Sequence, residues 1–352
     1  MTKILNKNVS LLLFIFAFAF FILQGYIALD PDFGWHLRFG EIISQTNQIP
    51  KTDPFSYTMP SYHFIDHEWL SDLIIAKSYP FLGQIGLSFI FALIAISAVF
   101  LQLKNLPKKW SFIPLCLIFS ILLFFQGIRP QIISLFFMSL LIITLFNKKI
   151  YQKLKYFIPF VFLIWANLHG SFPVGLVVLG TFILSEIIEK RRISWGNLFI
   201  LLASVFITFI NPYGISLWKE ILVTALDASL KWSVQEWTPS FFVVNIPLWV
   251  FLSLSGFIFI KYFTKFDLKE KMLFIILLLF GLSSIRNMLF FLFIGLIIIA
   301  KGFNFFYSTL GKYPLAKQRF FKILNLAAIS SHFRKIKFCC NNDNRNSISS
   351  LR

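Results

Sequence analysis

The feature that most constrains this chain is the recurrence of long apolar stretches along almost its whole length. The first runs from Val9 to Leu29. A transmembrane helix needs roughly 20 mostly apolar residues to cross a hydrocarbon core about 30 Å thick. Ordinary soluble chains carry about 25% charged residues, whereas this chain carries 14% and is 57% hydrophobic. A water-soluble surface cannot be built from this composition, so we predict an all-α, polytopic membrane protein.

Charged residues, prolines and glycines divide the apolar sequence into about ten predicted membrane-spanning helices. The apolar run of the first one is longer than the stretch of about 7–15 residues in a signal peptide, so we expect it to remain uncleaved. The further spans are predicted at Leu82–Leu103, Trp110–Ile128, Gln131–Phe146, Leu154–Leu168, Phe172–Ile188, Gly196–Ile210, Ile246–Phe263, Met272–Ile285 and Asn287–Phe306.

The positive charges predict the topology. Of the 33 Lys and Arg, 26 lie in the N-terminal start, in every second connection between predicted spans, and in the C-terminal segment from Lys301 onward. Because such an excess marks cytoplasmic segments, both termini are predicted in the cytoplasm. Residues 1–306 would form the transmembrane domain in a cytoplasmic (inner) membrane, and residues 307–352 a basic cytoplasmic tail. Attraction to anionic membrane lipids then explains the net charge of +18 without a nucleic-acid partner.

Acidic residues concentrate on the opposite side of the predicted membrane. Seven of the 15 Asp and Glu fall in the first outward loop, residues 30–80, and a second large outward loop covers residues 211–245. Phe33–Ile43 and Trp69–Tyr79 combine helical periodicity with aromatic residues, which predicts two helices lying in the membrane interface. These helices would hold the carboxylates of the first loop just above the membrane.

Asp30 and Asp32 follow the first predicted span directly. A carboxylate at membrane depth is costly and usually marks a functional site or a water-filled cavity. The alternative is an ordinary polar boundary, with Pro31 ending the helix. If the chain is helical from Phe33 onward, Asp32 and His36 lie on one helix face, and we predict a functional role for both.

A second polar cluster contains His63, Asp66, His67 and Glu68. Together with Asp32 it offers the oxygen and imidazole ligands that suit a divalent cation. His67, Glu68 and Asp32 are the predicted metal ligands, and a solvated loop is the alternative interpretation. No other cofactor is expected.

Further polar residues lie where predicted spans reach the outward face. Arg129 precedes Pro130, His169 ends the sequence Trp-Ala-Asn-Leu-His, and Arg286 lies near the start of the last span. Each one alone suits an interfacial anchor. Because all lie on the side of the acidic loop, together they predict a clamp for a phosphate group, which Arg can bind bidentately.

These motifs resemble the polyprenol-phosphate-dependent glycosyltransferases of the GT-C superfamily. More closely, the chain looks like a bacterial branch related to protein mannosyltransferases and aminoarabinose transferases, with an Asp-x-x-x-His loop, then Asp-Pro-Phe-Ser, then His-Glu-Trp-Leu. The matching residues are Asp32 and His36, Asp53 to Ser56, His67 to Leu70, Arg129 to Gln131, Trp165 to Gly170, Asn211 to Gly214, Glu236 with Trp237, and Arg286 with Asn287.

The resemblance implies transfer of a sugar from a polyprenyl-phosphate donor to a glycan, lipid or protein acceptor outside the cytoplasm, as part of cell-envelope assembly. In the family, an acidic residue of the first loop serves as catalytic base or metal ligand. By position, Asp32 is the expected base and Asp30 its helper, with Glu68 and His36 as further catalytic residues. The expected substrate-binding residues are Arg129, His169, Arg286, Asn167 and Trp69.

The chain departs from the family in being short and in ending with a basic tail where other members carry an outward soluble domain. Two other functions therefore stay open. A transporter or flippase of a lipid-linked or anionic solute would need polar residues deep within its spans, whereas these spans are mostly Phe, Leu and Ile. The second open function is that of a membrane assembly subunit that has lost catalysis.

Overall fold

The computed structural model describes residues 2–27, 29–59, 62–103 and 127–310, and no residue in these ranges belongs to a β-strand. A single antiparallel bridge joins Thr52 to His63. The all-α prediction is thus confirmed for this part of the chain. The helices are α1 (Thr2–Ile27), α2 (Phe33–Thr46), α3 (Trp69–Leu103), α4 (Gln131–Phe146), α5 (Lys148–Leu154), α6 (Ile158–Leu168), α7 (Phe172–Lys190), α8 (Trp195–Ile207), α9 (Ile215–Leu226), α10 (Leu230–Ser233), α11 (Ile246–Lys261), α12 (Leu268–Ser283) and α13 (Ile285–Leu310).

Short 3₁₀ turns complete the described secondary structure, at Lys155–Phe157, Gln235–Trp237, Ser240–Phe242 and Phe263–Lys265. The chain divides into two compact units, Met1–Lys301 and Gly302–Arg352. Of the second unit, the structure describes only residues 302–310, which are helical. The predicted basic tail beyond residue 310, and almost all of the predicted span Trp110–Ile128, lie outside the described residues.

Several helices begin at the residue that the sequence predicts. The predicted helix Gln131–Phe146 coincides with α4, and α7 and α11 begin at Phe172 and Ile246. Both α7 and α11 carry a proline in their first turn, where its fixed φ suits the helix and its missing N–H is not needed. At α11, the Asn245 side chain also accepts a hydrogen bond from Leu248 N at 3.0 Å, which caps the helix.

Three described helices are long and apolar enough to cross a membrane: Trp69–Gln102, Phe172–Lys190 and Ile285–Thr309. Gln131–Phe146 with Lys148–Leu168 is a fourth candidate, bent by 110° at its break. Phe14–Ile27, Trp195–Ile207 and Ile246–Lys261 are apolar but shorter. The fold is thus of the membrane type, whereas the predicted count of about ten spans is not confirmed. A helix of 16 residues covers only about 24 Å at 1.5 Å per residue, and apolar runs do not reveal where the backbone leaves the helix.

The two segments predicted as helices in the first loop are helical, but the second is not a separate helix. Helix α2 runs from Phe33 to Thr46. The predicted helix Trp69–Tyr79 is instead the beginning of α3, which continues to Leu103 with one non-helical residue, Gly83, at φ 59° and ψ −171°. A residue with a side chain would be strained at this φ, so the glycine allows the break between the two parts of α3.

Helix α2 packs directly on the first part of α3. A Cβ atom on Gly40 would collide with the backbone carbonyl of Asp72 and would lie 2.8 Å from the Cβ of Ala76. Only glycine therefore permits this approach of the two helices. The contact holds the α2 residue His36 against the start of α3.

The loop between α2 and α3 folds over α2 through aromatic residues. Phe39 is fully buried, the rings of Trp35 and Phe55 are 4.5 Å apart, and Phe64 lies 5.5 Å from both Trp35 and Phe39. Asp53 accepts hydrogen bonds from Phe55 N at 2.8 Å and Ser56 N at 3.3 Å. The Asp-Pro-Phe-Ser motif therefore forms a turn that places Phe55 over α2.

Candidate functional site

A cavity of about 230 Å³ lies where the first loop meets the starts of later helices. It is built from the α1–α2 junction, the residues before α3, the start of α4 and the start of α13. Asp66 and Gln131 line it. Seven of the residues predicted from sequence also line it: Asp30, Asp32, His36, His67, Glu68, Arg129 and Arg286.

Glu68 lies at the centre of the charged groups. Its Oε1 is 3.0 Å from His169 Nε2, 3.5 Å from His67 Nε2 and 3.9 Å from Arg286 Nη2, and its Oε2 is 3.5 Å from His36 Nε2. Burial by itself favours the neutral acid, but the three imidazoles outweigh burial and hold the pKa of Glu68 well below its usual range. Glu68 is therefore a fixed anion that holds its neighbours and is poorly suited to proton exchange near neutral pH.

His169 is fully buried in the turn between α6 and α7. Its Nδ1 accepts a hydrogen bond from Ser171 N at 3.1 Å, so the proton of the neutral ring is on Nε2 and is donated to Glu68. Burial, partly offset by Glu68, lowers the pKa of His169 and keeps the ring neutral. Ser134 Oγ lies 2.7 Å from the same Nδ1 and accepts from Trp165 Nε1 at 2.7 Å. His169 is thus oriented from both sides and lies behind the cavity wall.

Arg286 reaches the cavity from the start of α13. Its guanidinium lies 5.5 Å from the centre of the Trp237 ring, and the Gln131 amide, oriented to accept, has its oxygen 3.1 Å from Nη2 and 3.2 Å from Nε. The 3.3 Å contact between Nη2 and His169 Nε2 brings two donors together and is not a hydrogen bond. The planar group is therefore held by stacking, by Gln131 and by the charge of Glu68.

Arg129 links the two loops that are predicted to lie outside the membrane. Its Nε forms an ion pair with Asp30 Oδ2, and its Nη1 donates to Glu236 Oε1 at 2.5 Å. Asp30 also accepts from Asp32 N at 2.9 Å, and its side chain is only 3% exposed. Asp30 is thus committed to local contacts.

Asp32 is the N-cap residue of α2, and its side chain is exposed at the cavity. It makes no side-chain hydrogen bond or ion pair with any residue that the structure describes. Of the two acids predicted after the first span, Asp32 is therefore the one whose carboxylate faces the cavity without a partner.

Asp72 is a site residue that sequence reasoning missed. It is fully buried in the first turn of α3, and its Oδ1 lies 2.7 Å from His36 Nδ1. Burial alone would lower the pKa of His36, but the bond to Asp72 and the charge on Glu68 overcome it and raise the pKa to about 9. The spacing of Asp72 four residues after Glu68 was the available signal, since it places both on one face of a helix.

Asp66 lies beside this pair and is 4% exposed. Its Oδ1 accepts from Glu68 N at 2.9 Å. Burial and the nearby carboxylates of Asp72 and Glu68 raise the pKa of Asp66 well above its usual range. Neither Asp66 Oδ2 nor Asp72 Oδ2 has a hydrogen-bond partner among the described residues. Buried polar atoms without a partner are rare enough to need an explanation.

Trp69 and Asn167, predicted to bind substrate, bond to each other outside the cavity lining. Trp69 Nε1 donates to Asn167 Oδ1 at 3.1 Å, and Asn167 Nδ2 donates to Leu163 O at 2.8 Å and Ile210 O at 2.9 Å. These bonds fasten the start of α3 to α6 and to the segment that follows α8. His63, from the predicted polar cluster, is exposed away from the cavity lining.

Compared with protein-family models, with curated proteins and with solved structures, the chain matches none. Its function is therefore inferred from its own residues and their geometry.

Proposed function

We propose that this chain is a membrane glycosyltransferase of the GT-C type, which moves a sugar from a polyprenyl-phosphate donor to an acceptor on the outer side of the cytoplasmic membrane. One observation carries the proposal. An unpartnered carboxylate, Asp32, lines the same cavity as two arginines, Arg129 and Arg286, and each of the three comes from a different helix start.

The chemistry needs these groups on two sides of one reacting carbon. An acceptor hydroxyl attacks the anomeric carbon, the bond from that carbon to the phosphate oxygen breaks, and the hydroxyl proton passes to a carboxylate that is free to accept it. Asp32 is that base. The departing polyprenyl phosphate takes the bonding electrons, and its added negative charge is stabilised by positioned cations in a water-poor cleft. Arg286 supplies most of that charge, because Arg129 is also paired with Asp30 and Glu236.

The remaining groups position the reacting ones. Asp30 and Glu236 hold Arg129 in place, and Glu68 attracts Arg286 while it orients His169. In this proposal Glu68 does not exchange protons, because its surroundings keep it ionised. His36 adds an imidazolium to the cavity wall.

The membrane setting belongs to the same proposal. The three or four candidate spans and the shorter apolar helices support a chain embedded in the bilayer, where a polyprenyl donor is found. The apolar runs predict about ten spans. The distribution of Lys and Arg predicts two cytoplasmic termini and an outward cavity. The acceptor, a glycan, lipid or protein, would approach from outside.

A transfer assay tests this function. The purified protein in lipid nanodiscs is given radiolabelled hexosyl or pentosyl polyprenyl phosphates and envelope extract as acceptor. Asp32→Asn is expected to reduce transfer by about 100-fold or more, which is the lower range for loss of a general base. The matched control is Glu41→Gln, an α2 acid that pairs with Arg38 at the surface.

Full transfer by Asp32→Asn would remove Asp32 as the base. If no labelled product forms with any donor, while labelled lipid crosses the membrane of proteoliposomes that contain the protein, the chain is a flippase. Absence of both would favour an assembly subunit without catalysis.

A further inference from the structure

We infer that His36, Glu68 and Asp72 bind a divalent transition-metal ion, best suited to Zn²⁺, at the contact between α2 and the start of α3. One ligand atom from each residue lies within 4.8 Å of the others. This set shares only Glu68 with the ligands predicted from sequence, His67, Glu68 and Asp32. Metal binding here does not require that the chain be a glycosyltransferase.

The two carboxylates flank the His36 ring at short distance. His36 Nδ1 is 2.7 Å from Asp72 Oδ1, and His36 Nε2 is 3.5 Å from Glu68 Oε2. Tetrahedral Zn²⁺ binds nitrogen and oxygen at about 2.0–2.2 Å, which puts neighbouring ligand atoms roughly 3.3–3.6 Å apart. The two carboxylates contact different nitrogens of the His36 ring, so an ion bound to one nitrogen requires the carboxylate at the other nitrogen to turn towards it. The ligand atoms that would meet at the ion start within 4.8 Å of one another.

Carboxylates outnumber the permanent cations around this cavity. Asp30, Asp32, Asp66 and Glu68 line it, and Asp72 lies behind His36. Two guanidinium groups line the cavity, and one of them, Arg129, is taken up by Asp30 and Glu236. Like charges held together in a buried site are costly unless a cation compensates them. Protonated His36 compensates part of this charge, and a divalent ion beside Glu68 and Asp72 would compensate more of it.

Two buried oxygen atoms give an independent indication. Asp66 Oδ2 and Asp72 Oδ2 have no hydrogen-bond partner among the described residues. Asp72 Oδ1 is already paired with His36, and an ion bound to Asp72 Oδ2 would give the second oxygen a positive partner as well. Because a metal binds only neutral imidazole, the ion would replace the proton that otherwise links His36 to the carboxylates.

The donor set selects the kind of metal. One imidazole and two carboxylates, 12%, 10% and 1% exposed, match the four-coordinate nitrogen and oxygen sites of Zn²⁺. Mg²⁺ and Ca²⁺ prefer six or more oxygen ligands and usually keep water. His36 and Glu68 line the cavity and Asp72 does not, so an ion reaches the site from the cavity.

Zinc binding by the full chain, without any sugar donor, tests the inference. Protein purified in detergent is dialysed against chelator and then against metal-free buffer. It is titrated with ZnCl₂, and the bound metal is quantified by inductively coupled plasma mass spectrometry. We expect one Zn²⁺ per chain, and a rise in the thermal unfolding midpoint that EDTA reverses. His36→Gln and Asp72→Asn should weaken binding by about 100-fold or more, since even outer-shell partners contribute about 10–100-fold.

Three matched variants serve as controls. His67→Gln and Asp32→Asn alter the ligands predicted from sequence, and His63→Gln alters an exposed histidine of the same loop; all three should bind zinc as wild type does. Wild-type protein that binds no zinc, or a His36→Gln protein that binds it normally, would overturn the inference. Zinc loss in His67→Gln and Asp32→Asn alone would overturn it in favour of the other ligand set.

If Asp72→Asn does not fold, the rise in the thermal unfolding midpoint of the wild-type protein on zinc addition still tests the inference. If the protein transfers sugar but binds no zinc in the titration, the metal site is overturned and the proposed function stands. If the protein binds zinc but transfers no sugar, the metal site stands and the proposed function is overturned.

Discussion

His169 donates its Nε2–H to Glu68 Oε1 across 3.0 Å, and this bond joins the turn between α6 and α7 to the residue that precedes α3. The two residues are 101 positions apart in sequence. Glu68 also contacts His36 in α2 and Arg286 in α13. One carboxylate therefore sets the relative positions of four segments of the cavity wall.

Replacing Glu68 with Gln should lower the free energy of unfolding by about 2 kcal/mol, the scale of a hydrogen bond to a charged group. The amide oxygen can still accept from His169, but the amide nitrogen then faces His36, a donor facing a donor. Denaturant unfolding in detergent micelles measures the change. Glu41→Gln, exposed on α2, should stay within about 0.5 kcal/mol of wild type. Equal effects of the two variants would contradict the central role of Glu68.

Gly40→Ala should destabilise the protein by about 1–3 kcal/mol, because the added methyl group collides with the Asp72 carbonyl and forces α2 away from α3. Gly34→Ala is the matched control, since an added Cβ there meets no atom within 4 Å and alanine favours the helix. Thermal unfolding of the two variants side by side measures the difference. A Gly40→Ala protein as stable as Gly34→Ala would show that the two helices can separate freely.

Arg286→Lys should weaken binding of a polyprenyl phosphate by about tenfold or more, because an ammonium group cannot reproduce the planar contacts with Trp237 and Gln131. Equilibrium binding of the unglycosylated lipid phosphate in nanodiscs provides the measurement. Arg38→Lys preserves charge in the same way on the exposed side of α2 and should bind as wild type does. Unchanged affinity in both variants would remove Arg286 from the phosphate clamp.

Trp69→Phe should cost about 1–2 kcal/mol of stability, since Asn167 Oδ1 loses its donor. The affinity for the lipid phosphate should stay the same, because neither residue lines the cavity. Unfolding and binding measured on one preparation separate the two effects. Trp232→Phe, altering an indole that is 68% exposed in the second outward loop, is the control. A tenfold loss of affinity with normal stability would return Trp69 to the substrate-binding residues predicted from sequence.

Part of this architecture could be predicted because its signals are local. A proline in the first turn indicates the starts of α7 and α11, and polar residues at predicted helix ends indicate the positions of Arg129 and Arg286. Span lengths were not predictable in the same way. The apolar run of α8 continues through Ile210, whereas the helix ends at Ile207.

The roles within the cavity depend on contacts between distant segments. Asp72 lies in the stretch predicted as the second interfacial helix, and its contact with His36 appears only when Gly40 lets α2 approach α3. From sequence Glu68 is predicted to be catalytic, whereas in the structure its contact with His169 helps to keep it ionised. The sequence therefore indicated most of the residues that lie around the cavity. The fold distinguishes the residues that position their neighbours from those that face the cavity.

The break at Gly83 has a mechanical consequence. Membranes differ in thickness by several ångströms, and a long apolar helix adjusts to them by tilting. In α3 a change of tilt beyond residue 83 can be taken up by the dihedral angles of one glycine. Glu68 and Asp72, more than ten residues before it, can then keep their alignment with α2. If α3 crosses a bilayer, we therefore expect the cavity to keep its registry when the bilayer thickness changes.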